Sequence, residues 1–177
     1  MDNEETLIEQ AKKGDALSFN VLLERNYDMV YRVAYRFLGD SHDAEDIAQE
    51  VCVGLVHKLS KFDGRSSFST WLYRVVVNSC RDFCKKNSNH RSLEKKYIEF
   101  DGNEKLDKDD TNSKVAWLYR QINTLDEPLR ETALLVIAEE LNHAEVGRIL
   151  GCAESTISWR MSEVRKYLKK AVDGYYE

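Results

Sequence analysis

The chain has 177 residues, of which 42% are hydrophobic and 32% charged, with one proline, eight glycines and a net charge of −5. This length suits one ordinary domain or two small ones, and the scarcity of proline favours helices. The net acidity argues against a protein that coats nucleic acid non-specifically, because that mode depends on many cationic contacts to phosphate. No apolar stretch approaches the roughly 20 residues that cross a bilayer, and the acidic start MDNEETLIEQ is unlike a secretory signal. We therefore expect a cytoplasmic protein without direct membrane insertion.

Residues 1–86 form the first block with helical spacing of apolar residues. A short opening helix closes near Gly14, and a long second helix stops at Gly39. A third helix is predicted in SHDAEDIAQEVCVGLVHKLSKF. The segment FDGRSSF interrupts the pattern, with Asp63 and Gly64 as the turn signal, and STWLYRVVVNSCRDFCKK resumes a helix.

Residues 87–113 hold few aliphatic side chains and end in acids and small polar residues, which is typical of a flexible polar linker. A helical turn is expected within it, around residues 93–98. Residues 114–177 return to helical spacing, with a helix start near Pro128. Because no stretch alternates like a strand, the sequence predicts an all-α protein. Its two small helical domains, 1–86 and 114–177, would be joined by the linker.

The segment AEVGRILGCAESTISWRMSEVRKYL has the pattern of a helix-turn-helix. Gly147 stands where two helices would approach closely, Gly151 supplies the turn, and Ile157 would pack the corner. An ordinary helical pair with a solvated basic face is the alternative interpretation.

The second helix of this pair would read base edges through residues near its N-terminus. Arg160 has the two-pronged geometry that pairs with guanine, and Thr156 can touch a phosphate or a thymine methyl group. The predicted base readers are Ser155, Thr156, Ser158, Trp159 and Arg160. The predicted backbone contacts are Arg165, Lys166, Lys169 and Lys170.

The helix after FDGRSSF carries a polar stripe made of Arg74, Asn78, Arg81 and Lys85. Basic groups beside hydroxyls and aromatic rings suit single-stranded nucleic acid, whose bases stack or enter pockets. Trp71 is either a wedge at a duplex edge or a core residue, with the core slightly favoured. Phe62 and Phe68 are expected in the core.

The helix before that loop has polar side chains near its start: Asp43, Glu45, Asp46, Gln49 and Glu50. They form a docking face for a basic partner or simply a solvated helix start. Catalysis by paired carboxylates is disfavoured because no histidine, lysine or metal cluster accompanies them. Cys80 and Cys84 lie one helical turn apart but lack further ligands at a metal-site spacing, so no metal or cofactor is predicted.

Three motifs in this order resemble the bacterial RNA polymerase sigma factors of the small two-domain extracytoplasmic-function (ECF) class, and the resemblance spans nearly the whole chain. DAEDIAQEV is similar to the family's segment that docks on the clamp helices of the largest polymerase subunits. FDGRSSFSTWLYRVVVNSCRDF resembles the loop and helix that recognise and melt the −10 promoter element. The helix-turn-helix resembles the family's reader of the −35 element.

The resemblance implies a non-catalytic subunit that binds core RNA polymerase, directs promoter-specific initiation and is held inactive by an anti-sigma factor. It implies that the acidic linker threads through polymerase. The implied polymerase-docking residues are Asp43, Asp46, Gln49 and Glu50. The implied −10 contacts are Phe62, Asp63, Gly64, Arg65, Ser66, Ser67, Phe68, Trp71, Arg74, Asn78 and Arg81. The implied −35 contacts are Ser155, Thr156, Ser158, Trp159, Arg160, Arg165 and Lys166.

The recognition helix departs from the family's usual pattern at two positions. Glu163 stands where a basic residue is usual, and Trp159 where a small one is usual, so no −35 consensus is carried over. The residues alone leave two other classes of protein open. A helix-turn-helix regulator that acts as a dimer would need a dimer interface, and no heptad repeat indicates one. A helical metalloenzyme would need clustered histidines, and the four histidines are scattered.

Overall fold

A computed structural model describes residues 3–87 and 111–173, with side chains in the second range from residue 114 onward. Within these ranges every regular element is helical, which confirms the predicted all-α class. The chain divides into two compact units, Met1–Glu94 and Lys95–Glu177. No helix in the described part of the chain is long and apolar enough to cross a membrane.

The described residues of the first unit form helices α1 (Glu4–Lys12), α2 (Ala16–Leu38), α3 (Ser41–Lys58) and α4 (Phe68–Asn87), and a 3-10 turn at Leu59–Lys61 extends α3. Helix α2 lies at the centre and packs against α1, α3 and α4. The side chains that close the core are fully buried: Val33, Val51, Leu72, Val76 and Val77.

The helix ends of the first unit follow from local caps. The carboxylate of Asp15 accepts the backbone N–H of Ser18 at the start of α2, and Asp40 accepts the N–H groups of His42 and Asp43 at the start of α3. Gly39 adopts a left-handed φ of 71° and ends α2. The predicted stop at Gly39 is therefore confirmed.

The second unit contains α5 (Thr111–Asn123), α6 (Glu127–Ala133), α7 (His143–Leu150) and α8 (Glu154–Asp173), and a π-helical turn at Leu134–Ala138 continues α6. Helix α8 packs against α5, α6 and α7. Pro128 lies in the first turn of α6, as predicted. The core contains Ile122, Leu134, Leu135, Ile149 and Ile157.

The predicted linker, residues 87–113, overlaps the helices at both ends. Helix α4 includes Asn87, and α5 begins at Thr111. The turn predicted around residues 93–98 lies outside the described residues.

Candidate nucleic-acid interface

The corner between α7 and α8 is built around Gly147. A Cβ atom at this position would lie 2.8 Å from the backbone oxygen of Cys152, so the corner accepts only glycine without rearrangement. Gly151 ends α7 with a φ of 74°, and Ile157 is fully buried beneath the turn. Asn142 and Glu145 form a capping box at the start of α7. The helices therefore meet as the helix-turn-helix pattern predicts.

The inner stripe of α8 consists of Ile157, Met161 and Val164, all buried. Hydrogen bonds to neighbouring elements define the two flanks beside this stripe. On one flank, Arg160 Nη1 donates to Thr132 Oγ1 of α6 at 3.5 Å, and Tyr167 Oη lies 2.7 Å from Thr124 Oγ1. The other flank faces α7, where His143 Nδ1 lies 2.9 Å from Ser158 Oγ.

The outward ridge of α8 carries an exposed tryptophan. Trp159 is 62% exposed, and Ser155 beside it is also exposed. Further along the helix, Lys166 Nζ forms an ion pair with Glu163 Oε1 at 2.8 Å. Arg165 is exposed, whereas Thr156 and Arg160 are half-buried. The predicted −35 residues thus share one helix but lie on different faces of it.

In the first unit, Phe62, Phe68 and Trp71 form an aromatic cluster at the base of the loop before α4. The Trp71 ring centroid lies 5.4 Å from that of Phe62 and 5.6 Å from that of Phe68. Both phenylalanines are buried, which confirms their predicted place in the core. Trp71 is half-buried, so it packs on the core and leaves part of its indole accessible beside the loop.

A lysine from α1 completes this cluster. Lys12 Nζ lies 5.3 Å from the Phe62 ring centroid, within cation–π range, and 2.9 Å from Glu9 Oε1. The sequence alone does not point to Lys12, because the contact joins two segments far apart in the chain. The helical spacing of Leu7, Ile8 and Ala11 indicates a helix and does not reveal what packs against its end.

The loop that links these aromatics is short, polar and largely exposed. Gly64 has a φ of 73°, and Arg65 Nε pairs with Asp63 Oδ2 at 3.1 Å. The Ser67 hydroxyl accepts the backbone N–H of Thr70 at the start of α4 and lies 2.8 Å from the Thr70 hydroxyl. Ser66 donates to the Ser67 carbonyl oxygen.

The polar stripe on α4 follows directly from this loop. Arg74 and Asn78 are exposed and Arg81 is half-buried. Arg81 Nη1 lies 3.4 Å from Asn78 Oδ1. The amide of Asn78 and the guanidinium groups of Arg74 and Arg81 thus lie in line on the helix that carries Trp71. This combination offers stacking, hydrogen bonding and positive charge to an unpaired nucleotide strand.

Helix α3 presents the predicted acidic face. Asp46, Gln49 and Glu50 are exposed, and Asp43 is half-buried. Two apolar side chains further along the helix, Val53 and Val56, are 73% and 58% exposed. The helix therefore exposes both carboxylates and aliphatic groups to solvent on its outer side.

The two cysteines of α4 differ in their exposure to solvent. Cys80 is buried and Cys84 exposed on α4, and burial raises the pKa of the Cys52 thiol. Among residues 3–87 and 111–173, no three histidine, cysteine or acidic side chains are grouped as metal ligands.

Comparison with known proteins shows the family of the chain. Residues 22–90 match the Sigma-70 region 2 family. The ECF RNA polymerase sigma factor SigW of Bacillus subtilis is 30% identical over 174 residues, which cover 92% of this chain and 93% of SigW. The ECF RNA polymerase sigma-E factor of Escherichia coli K12 is 27% identical over 180 residues, 96% of this chain and 94% of that protein.

Two solved structures share the fold. CnrH, solved with the cytosolic domain of CnrY, superposes with a TM-score of 0.72 at 22% identity, covering 98% of this chain and 99% of CnrH. The sigma factor RpoE of Bartonella quintana, solved with the anti-sigma factor NepR, gives a TM-score of 0.62 at 21% identity, with 88% and 96% coverage. Sigma factors are DNA-binding transcription regulators rather than enzymes. On its similarity to SigW across nearly the full length of both chains, the protein belongs to the ECF RNA polymerase sigma factor family.

Proposed function

We propose that this sigma factor binds core RNA polymerase and directs initiation at promoters through two separate contacts. Residues 1–86 dock on polymerase, recognise the −10 element and hold its melted strand. Residues 114–177 read the duplex −35 element, and residues 87–113 connect the two. One observation supports this proposal: each compact unit has its own exposed polar feature, an aromatic-based polar loop with α4 in the first and a helix-turn-helix in the second.

The proposed −10 surface favours an open strand over a duplex. A nucleotide that leaves the stack can lie against the accessible edge of Trp71, beside the loop hydroxyls and the amide of Asn78. Binding only the melted state shifts the equilibrium toward it without any catalytic step. The proposed −10 contacts are Phe62, Asp63, Gly64, Arg65, Ser66, Ser67, Phe68, Trp71, Arg74, Asn78 and Arg81. Buried Phe62 and Phe68 would act by supporting Trp71.

The proposed polymerase contacts lie on α3, at Asp43, Asp46, Gln49 and Glu50. Three of these side chains are exposed, and the adjacent Val53 adds an exposed apolar group. The net charge of −5 is compatible with promoter binding because polymerase supplies much of the DNA affinity. We place this activity in the cytoplasm.

We also propose that an anti-sigma factor controls the protein. Two proteins of the same fold were solved with a partner: RpoE of Bartonella quintana with the anti-sigma factor NepR, and CnrH with the cytosolic domain of CnrY. An inhibitor that covered the α3 face would compete directly with core polymerase.

The test is run-off transcription with core polymerase and a library of promoter fragments. We expect transcripts from a defined subset of promoters when the protein is added, and none from those promoters with core polymerase alone. A helix-turn-helix regulator would instead protect duplex DNA unaided and leave initiation by core polymerase unchanged. That result would contradict the proposal.

A further inference from the structure

The two adjacent residues Trp159 and Arg160 lie on different faces of α8. Arg160 borders the inner stripe, and its guanidinium lies 3.5 Å from the hydroxyl of Thr132. Thr132 is fully buried in α6 and itself donates to the Pro128 carbonyl oxygen at 2.8 Å. The guanidinium of Arg160 therefore extends toward the body of its own unit.

Trp159 lies about 100° further around the helix, on the outward ridge. It is 62% exposed, although it has one of the largest apolar side chains and stands in the second turn of the recognition helix. Residues in the first turns of such a helix reach base edges in the major groove. An indole in that position offers the DNA a broad apolar surface.

The groups around Trp159 carry little net charge. Ser155 and Ser158 are neutral, and the Ser158 hydroxyl already lies 2.9 Å from His143 Nδ1. Further along, Lys166 is paired with Glu163 at 2.8 Å. Guanine recognition needs hydrogen-bond donors aimed at its N7 and O6 atoms, whereas the 5-methyl group of thymine is the apolar feature of the major groove.

We propose that Trp159 selects bases of the −35 element by apolar contact between its indole and a thymine 5-methyl group. This inference rests on the proposed −35 role of the second unit. It replaces the guanine contact that the sequence predicts for Arg160, whose side chain is engaged with α6.

The experiment compares thymine with deoxyuracil, which lacks only the 5-methyl group. Holoenzyme assembled from core polymerase and the full-length protein is bound to a promoter obtained from the run-off library. Each −35 thymine is replaced in turn, on either strand. We expect at least one position at which deoxyuracil weakens wild-type binding about fourfold, the effect of losing one buried methyl group.

At that position the Trp159→Ala holoenzyme should bind the thymine and deoxyuracil promoters equally well. Trp159→Phe, which keeps an aromatic ring, should retain most of the difference. Arg160→Ala is the matched control and should keep the full thymine-to-deoxyuracil ratio, even if it weakens binding to both promoters. Because Trp159 is exposed, Trp159→Ala should also melt at the wild-type temperature.

Three results would overturn the inference. The first is that no −35 thymine shows a methyl effect in the wild type. The second is that Trp159→Ala keeps the effect. The third is that replacing a −35 guanine with 7-deazaguanine weakens promoter binding by the wild-type holoenzyme, and that Arg160→Ala removes this loss of affinity. Absence of promoter-dependent initiation by every variant, wild type included, would instead contradict the proposed function.

Discussion

At the scale of single residues, the corner of the helix-turn-helix depends on the space at Gly147. A Cβ atom at this position would lie 2.8 Å from the carbonyl oxygen of Cys152. Because that oxygen belongs to the backbone, no side-chain rotation can remove the clash. Because the corner sets the angle of α8, crowding at this point would also shift the face that we propose reads DNA.

We expect Gly147→Ala to destabilise the second unit by about 1–3 kcal/mol, the usual cost of overpacking. Gly54→Ala is the matched control, since a Cβ there meets only the flexible end of Lys58 at 3.5 Å. That change should be neutral or stabilising because alanine favours helix over glycine. Urea denaturation followed by circular dichroism measures the free energy of unfolding of both variants. An equal change in the two would contradict the crowding at Gly147.

Asn78 is the second residue with a distinct expected effect. Its exposed amide lies in the α4 stripe, where it can hydrogen-bond an unpaired base. We expect Asn78→Ala to slow promoter opening about fivefold, because one such hydrogen bond is lost. Binding of the variant to the closed promoter should change little. Permanganate reactivity of −10 thymines over time measures the opening rate.

Cys84→Ser is a suitable control for Asn78→Ala because Cys84 is exposed on another side of α4. It should open the promoter at the wild-type rate. A parallel loss of closed-complex affinity in Asn78→Ala would argue that Asn78 contacts duplex DNA instead.

At the scale of helices, Asp15 at the start of α2 links stability to pH. The Ser18 hydroxyl, and next the Ser18 backbone N–H, hold the pKa of this carboxyl below its ordinary value of 3.8. A carboxyl with a depressed folded-state pKa stabilises the protein above pH 3.8, and this contribution is lost as the pH falls through the folded-state pKa.

Asp15→Ala should therefore lower the unfolding temperature at pH 7, and its difference from the wild type should narrow as the pH falls below 3.8. Asp28→Ala removes an exposed carboxylate from the middle of the same helix and serves as the control. Thermal melts across this pH range measure both variants. A wild-type-to-Asp15→Ala difference that stayed constant with pH would contradict the capping role.

The helices could largely be predicted from the sequence because their ends are local. Gly39, Gly151 and Pro128 act on the turns in which they stand, and the corner glycine Gly147 is recognisable from its spacing. The π-helical turn at Leu134–Ala138 follows α6 in a segment whose apolar spacing predicts an α-helix. No local residue signals it.

The orientation of site residues was harder to predict for a related reason. The hydrogen bond from Arg160 to Thr132 joins residues 28 positions apart. The cation–π contact between Lys12 and Phe62 spans an even longer stretch of chain. Periodicity assigns each side chain to a face of its own helix. Only the packed unit determines which neighbour that face meets.

At the scale of the whole molecule, the two compact units have separate cores. Leu72 is fully buried in the first and Ile157 in the second. Truncation of a buried aliphatic side chain to alanine typically costs about 2–5 kcal/mol, and that cost should fall on the unit that loses the contact.

We expect Leu72→Ala to destabilise the first unit and leave the second unchanged, and Ile157→Ala to do the reverse. Tryptophan fluorescence distinguishes them when the tryptophans of the other unit are replaced by phenylalanine, because Trp71 then reports on the first unit, or Trp117 and Trp159 on the second. Hydrogen exchange resolved by peptide provides a second measurement. A single transition shifted equally by both variants would show that the cores unfold together.

The close approach at Gly147 has a consequence for how the promoter set of such a protein changes over time. The corner is held by atoms on the inner side of the helix pair, while the indole of Trp159 and the hydroxyl of Ser155 lie on the outer side. If the outer side reads the −35 element as proposed, substitutions there should change the set of promoters bound with little effect on folding stability. On that proposal, a few substitutions at outward-facing positions of α8 would be enough to place different genes under this sigma factor, whereas position 147 would have to remain glycine.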